Sequence, residues 1–185
     1  RWSVAQNKKY IDRPIASQEA VFQQIVLKAR DTAFGIDHDF KSIRTYSDFK
    51  MRVPVRDYEE LRPYVERIVK GEKNVLWPGL PAYLAKTSGT TSGAKYIPIT
   101  AESMKEQVNS SKLALLQYIV NKGSADYVNG KMIFLQGSPV LDTKGAVKMG
   151  RLSGISAHYL PSYLLKNRLP SWETNIIEDW ETKVE

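Results

Sequence analysis

Two hydrophobic rhythms alternate along the chain, one helical and one strand-like. Val21, Phe22, Ile25, Val26 and Ala29 recur at i, i+3 and i+4, which predicts an amphipathic helix capped by Ser17 and ended by Gly35. Ser47 begins a short helix that stops before Pro54. Asp57 and Glu60 have the spacing of a capping box, and capping and solvation account for the neighbouring acids Glu59 and Glu66. Pro63 is expected to break that helix after one turn, with a second helix carrying Tyr64, Val65, Ile68 and Val69 to Gly71. Ala82 to Ala85 and Tyr96 to Ile99 are short runs that read as strands, Pro98 marking a strand end or a sheet edge.

Thr100 caps the next helix, with Glu102 in its first turn where it complements the dipole. Met104, Val108, Ser111, Leu115 and Ile119 share one face; Leu113, Leu116 and Val120 widen the apolar surface and predict a well-buried helix. Lys131 to Leu135 reads as a strand apolar enough for the middle of a sheet. The glycine-rich stretch from Gly137 to Gly154 holds Lys144, Lys148 and Arg151. A hairpin built on Asp142-Thr143-Lys144-Gly145 is favoured there over a second anion loop. His158 to Trp172 reads as irregular structure with one short helix, and Thr174 or Asn175 opens a final amphipathic helix carrying Ile176, Ile177, Trp180 and Val184. Residues 1–16 look like the tail of an earlier helix and a linker.

Composition narrows the class. With 185 residues, 42% hydrophobic and 10% aromatic, the chain can bury a core and is not disordered. It starts at Arg1 and stops at Glu185 within a helical pattern, so residues 1–185 are expected to be part of a larger domain. The net charge of +7 invites a nucleic-acid reading, but the basic residues are scattered and the only adjacent pair is Lys8-Lys9. Attraction for acidic small molecules explains the charge as well. Cysteine is absent, which removes disulfides and thiolate chemistry and fits a cytoplasmic enzyme. His38 and His158 have no paired ligand spacing and read as structural. No apolar run approaches membrane-span length.

The chemistry concentrates in Thr87-Ser88-Gly89-Thr90-Thr91-Ser92-Gly93-Ala94-Lys95. Hydroxyls from Ser88, Thr90, Thr91 and Ser92, close backbone approach at Gly89 and Gly93, and the charge of Lys95 suit a polyanion such as a nucleotide phosphate. The loop joins strand to strand, whereas a Walker loop joins strand to helix. Its glycines are one residue too close, and Tyr96 stands where that motif has Ser or Thr. A plain Ser/Thr/Gly hairpin turn has similar composition; Lys95 among consecutive small donors between apolar strands favours the anion site.

Thr-Ser-Gly-Thr-Thr-x-Gly-x-Lys resembles the phosphate-gripping signature of the acyl-adenylate-forming superfamily. The wider context looks like the Gretchen Hagen (auxin-responsive promoter) family of acyl-acid amido synthetases, closer to its bacterial than its plant members. It includes Val53-Pro54, Tyr58-Glu59-Glu60-Leu61, Pro63-Tyr64, Glu66-Arg67-Ile68 and Leu76-Trp77-Pro78, then Thr87 to Thr100. Two positions depart: plant members place the lysine at the position of Tyr96, and the wider superfamily has glycine at that of Ser92. The resemblance implies an α/β fold, a mixed sheet flanked by helices, as part of a large N-terminal domain. It implies ATP and magnesium as cofactors, and a small-molecule carboxylic acid and an amine, typically an amino acid, as substrates. Neither nucleic acid nor membrane is an expected partner. Thr87 to Gly93 would bind phosphate, with Lys95 as the catalytic charge partner; no magnesium ligand is assigned. Coenzyme A is the alternative acceptor. The rival functions are a nucleotide-binding module without ligase activity and a basic nucleic-acid-binding fragment.

Overall fold

The computed structural model describes residues 7–8, 10–87, 93–134, 136–177 and 179–184. The chain divides into two compact units, one running to Ala82 and including Gly145–Val147, the other comprising Tyr83–Lys144 and the residues from Lys148 onward.

The first unit is helical: α1 is Pro14–Ala29, α2 Ala33–Asp37, α3 Tyr46–Arg52 and α4 Tyr58–Val69. Helix α1 begins before Ser17 because Pro14 occupies the first turn, where its missing N–H has no helical partner to lose. It ends at Ala29, and Gly35 lies inside α2, donating its N–H to the capping hydroxyl of Thr32 at 3.1 Å. Thr45, not Ser47, caps α3, with Asp48 closing a capping box. The Asp57–Glu60 box forms as the spacing predicts, both bonds at 3.0 Å, and Glu59 pairs with Arg62. Pro63 does not break α4; the helix continues through it, lacking the one bond a proline cannot donate. Val26, Ala29, Phe40 and Ile43 form the core, with Phe22, Phe34, Phe49, Val53 and Trp77 around them. Phe22 meets Phe49 edge-to-face at 5.8 Å, an arrangement that adds to simple burial.

The second unit carries the sheets. The strands are β1 Tyr83–Lys86, β2 Tyr96–Ile99, β3 Met132–Ile133, β4 Asp142–Lys144, β5 Val147–Gly150, whose first residue is counted with the first unit, and β6 Arg168–Leu169. Its helices are α5 Ala101–Lys122, α6 Leu152–Ala157, α7 Ser162–Leu165, α8 Trp172–Ile176 and α9 Trp180–Val184. The larger sheet has the order β2-β1-β5-β4 and is mixed: β1 pairs antiparallel with β2 and parallel with β5. A second sheet pairs β3 with β6 in parallel. The architecture is α/β, with helices packed on a mixed sheet. Ala85, Met104 and Ile155 join β1, α5 and α6 in one core.

Three further expectations change. The strand read over Lys131–Leu135 is reduced to Met132–Ile133, and Ile133 is 72% exposed, so among the described residues it is no mid-sheet strand. Ser171 caps α8, and the backbone leaves the helix at Ile177 with ψ 122°, so the final segment is two short helices. Thr100 does cap α5, accepting from Ser103 N–H at 3.0 Å, yet Met104 is the one residue of α5 classed as buried. Beyond Met104 and Val108, which pack on the sheet, its apolar stripe faces a cavity rather than a filled core.

The hairpin turn at Gly145 forms as expected, with φ +60°. A Cβ there would lie 2.0 Å from the carbonyl oxygen of Val69, the acceptor for Ala146 N–H. Gly123, at the end of α5, has φ +73° but open space at its Cβ position. Alanine at either site meets the left-handed penalty of about 1–2 kcal/mol. Gly145→Ala adds a backbone clash, so it should lower the urea midpoint of unfolding clearly more than Gly123→Ala. Equal losses would mean that the close approach at Gly145 is not real.

Candidate functional site

The phosphate-type loop is the connection of the β1–β2 hairpin, strand to strand as its flanks predict. Ser88, Gly89, Thr90, Thr91 and Ser92 lie outside the described residues. Thr87, Gly93 and Lys95 are described. Lys86 opposes Tyr96, and Thr87 N–H donates to the Lys95 carbonyl at 2.9 Å, so the ladder continues one pair beyond the strands. Gly93 has φ +84°, a conformation that glycine adopts freely and other residues rarely do.

Directly opposed residues of an antiparallel pair share a face, and faces alternate along each strand. The pairs Tyr83–Ile99 and Ala85–Ile97 therefore lie on one face, and the Thr87–Lys95 pair that follows in register lies on the same one. Tyr83, Ala85 and Ile99 on this face pack with Met104 and Val108 of α5 and Ile155 of α6. Lys95 and Thr87 are thus at the loop end of the sheet face that supports α5.

Beside α5 is a cavity of about 350 Å³, toward the small end of ligand pockets, which run from about 300 to 1,000 Å³. One stripe of α5, including Met104, Val108, Leu115 and Ile119, forms a wall. Phe134, Leu160 and Leu164 contribute apolar surface from other segments. Tyr159 links cavity to sheet: it lines the cavity and donates its hydroxyl to Tyr83 Oη at 3.2 Å. That bond, with burial and the second phenol's proximity, pushes the Tyr159 pKa up to about 12.

Other sequence candidates resolve as structural. His38 Nδ1 meets the Phe34 carbonyl at 2.8 Å and His158 Nε2 that of Pro139 at 2.7 Å. Lys144 sits in the β4–β5 hairpin with its ammonium 4.3 Å from the Tyr96 ring centre, a cation–π contact. The stem of Arg151 lies against Gly137. No group of three or more His, Cys, Asp or Glu side chains is placed to hold a metal among the described residues. The cavity itself escapes the sequence reading, because a stripe that lines a cavity has the same spacing as one that packs on a core.

Residues 4–183 match the family described as the GH3 family N-terminal domain. The chain belongs to the GH3 family. Across 136 residues it is 27% identical to a jasmonoyl–L-amino acid synthetase, JAR4, of Nicotiana attenuata, covering 72% of this chain and 23% of that protein. Across 68 residues it is 40% identical to the indole-3-acetic acid-amido synthetase GH3.15 of Arabidopsis thaliana, covering 36% of this chain and 11% of that protein. The GH3 chain thus spans about a quarter or less of the length of these relatives. Among solved structures, the GH3.15 acyl acid amido synthetase superposes with TM-score 0.69 at 20% identity, over 90% of this chain and 28% of that one. This likeness shows the shared fold. No helix among the described residues of the GH3 chain is long and apolar enough to cross a membrane.

The Tyr159–Tyr83 bond has a pH signature. A phenol with a raised pKa keeps its proton as pH passes the ordinary value of about 10. The stabilisation from this bond is full below that value and is lost as pH rises through about 12. Tyr83→Phe should bring the titration of Tyr159 down toward the ordinary value, read as tyrosinate absorbance. A late-titrating tyrosine that persists in Tyr83→Phe would contradict the pairing.

Proposed function

We propose that the intact protein is an acyl-acid amido synthetase that activates a carboxylic acid as its acyl-adenylate and transfers the acyl group to an amine, that of an amino acid by analogy with its named relatives. The observation that carries this reading is the placement of Lys95 and Thr87 at the loop end of the sheet face supporting the apolar wall of α5. An anionic head and an apolar tail, the two halves of an acyl acid, find matching surroundings in one compact unit.

In the first step a carboxylate oxygen attacks the α-phosphorus of ATP, and the bond to the bridging oxygen breaks to release pyrophosphate. In the second the amine nitrogen attacks the acyl carbon, AMP leaves with the bonding pair, and the nitrogen loses a proton. The first step requires no protein nucleophile, only positioning and neutralisation of phosphate charge. Under this reading the hydroxyls of Thr87, Ser88, Thr90, Thr91 and Ser92 donate to phosphate oxygens. Gly89 and Gly93 admit the phosphates close to the backbone, and Lys95 faces the β- and γ-phosphates. Magnesium, when bound with ATP, would neutralise phosphate charge. The described residues offer no carboxylate cluster for it, so no residue here is assigned as its ligand. A cytoplasmic setting, where ATP is available, belongs to the same proposal, and this chain forms part of the large N-terminal domain.

Lys95→Ala in the intact protein should slow acid-dependent ATP–pyrophosphate exchange by roughly 10²–10³-fold, the loss typical of one preorganised charge-stabilising group. The variant should remain folded by circular dichroism. Unchanged exchange in a folded variant would reject the role of Lys95. Gly93→Ala should also impair exchange more than Ser92→Ala, since it strains a backbone at φ +84° while Ser92→Ala removes one donor of several. The reverse ranking would mean that the loop acts through side chains rather than backbone shape.

A further inference from the structure

The parallel pair of β3 and β6 has an open edge at Arg168. Met132 lies opposite Arg168, and Ile133 opposite Leu169. Met132 N–H donates to the Asn167 carbonyl and Phe134 N–H to that of Leu169. The N–H and C=O of one strand residue point to the same side, and the side alternates along the strand. Arg168, between Asn167 and Leu169, therefore aims its N–H and carbonyl away from β3. On that edge no strand pairs among the described residues. Such an edge is a template for another strand.

The side chain at the same position also lacks a partner. Ile133 and Leu169 share one face of the pair and are 72% and 40% exposed, so Arg168 and Met132 occupy the inner face. Arg168 is 5% exposed, and none of its three guanidinium nitrogens meets a hydrogen-bond acceptor. Burial lowers its pKa, and no carboxylate among the described residues holds it up. A guanidinium keeps its charge in proteins, and holding it out of water without a countercharge is strongly unfavourable. The outer face is incomplete too, because parallel strands are ordinarily covered on both faces.

We propose that a strand from the part of the intact GH3 protein outside residues 1–185 adds to the β6 edge at Arg168 and sets an acidic side chain beside the guanidinium. Opposed residues of neighbouring strands share a face, with Cβ atoms about 5 Å apart. The residue opposite Arg168 therefore faces inward and meets the guanidinium within the sheet, without having to enter from solvent. Chain length and charge favour this occupant. The chain spans about a quarter or less of the length of its relatives. Its 27 Lys and Arg against 20 Asp and Glu leave positive charge for the rest of the protein to meet. Ile133 and Leu169 offer the same segment apolar surface to cover. Arg168 then joins two parts of the protein and takes no part in the adenylation chemistry.

The test uses the intact protein and needs no substrate, so its outcome is separate from that of the adenylation reading. With p-benzoylphenylalanine in place of Leu169, irradiation should yield an intramolecular cross-link to residues outside 1–185, mapped by peptide mass spectrometry. A cross-link into a second copy, or to residues 1–185 alone, would overturn the proposal. The Arg168 amide should exchange slowly with deuterium; exchange at the rate of an unpaired amide would rule out the added strand. Arg168→Met leaves the acid buried and unpaired, so it should cost roughly 10²–10³-fold in the folding equilibrium at about pH 7.5, read from urea unfolding. That loss should shrink by about pH 4.5, because protonation of the stranded acid relieves it. An equal loss at both pH values would mean that no carboxylate faces Arg168. A loss seen only with inorganic phosphate present would give the guanidinium to a free anion. Either result overturns the pairing. If Arg168→Met fails to fold, Arg168→Lys takes its place and should show a smaller loss with the same pH dependence.

Discussion

The antiparallel pairing of β1 with β2 sets the arrangement on which the candidate site depends. Its register runs from Tyr83–Ile99 to Lys86–Tyr96, and the Thr87–Lys95 backbone bond carries it one step further. Since side chains alternate between faces, a slip of one residue would move Lys95 to the opposite face and turn Ala85 out of its core. Ala85 is held in place by Met104 and Ile155, two side chains shielded almost completely from solvent. The packing of α5 and α6 on β1 thus fixes the register, and the register fixes where the loop's lysine emerges.

That arrangement suits chemistry between two anions. A carboxylate approaching a triphosphate meets like charge, and a nearby cation with aligned N–H and hydroxyl donors offsets the repulsion. Such donors act more strongly beside an apolar wall than in open water. In the proposed reading, the α5 stripe both receives the acyl tail and lowers the local polarity next to the loop.

Much of this was legible in the residues. The Asp57–Glu60 box, the Thr100 cap, the hairpin at Gly145 and the strand-to-strand loop rest on local rules of spacing and turn chemistry, and all appear. Errors arose where neighbours override local preference. Pro63 is tolerated inside α4, although the local rule predicts a break. Gly35 marks a helix interior rather than an end. The spacing of the α5 stripe predicts core packing, because periodicity reports which face is apolar and not what that face meets. The Tyr83–Tyr159 bond joins residues 76 apart in sequence, and no local pattern announces it.

The central claim is that the β1–β2 loop and the α5 cavity are two halves of one acyl-adenylate site. The most direct measurement is a crystal structure of the intact protein with a non-hydrolysable acyl-sulfamoyl adenosine, which mimics the adenylate. The account predicts the sulfamoyl group within hydrogen-bond distance of the loop between Thr87 and Lys95, and the acyl tail in the cavity that α5 lines. A ligand bound with its sulfamoyl group away from that loop, or with its tail outside the α5 cavity, would contradict it.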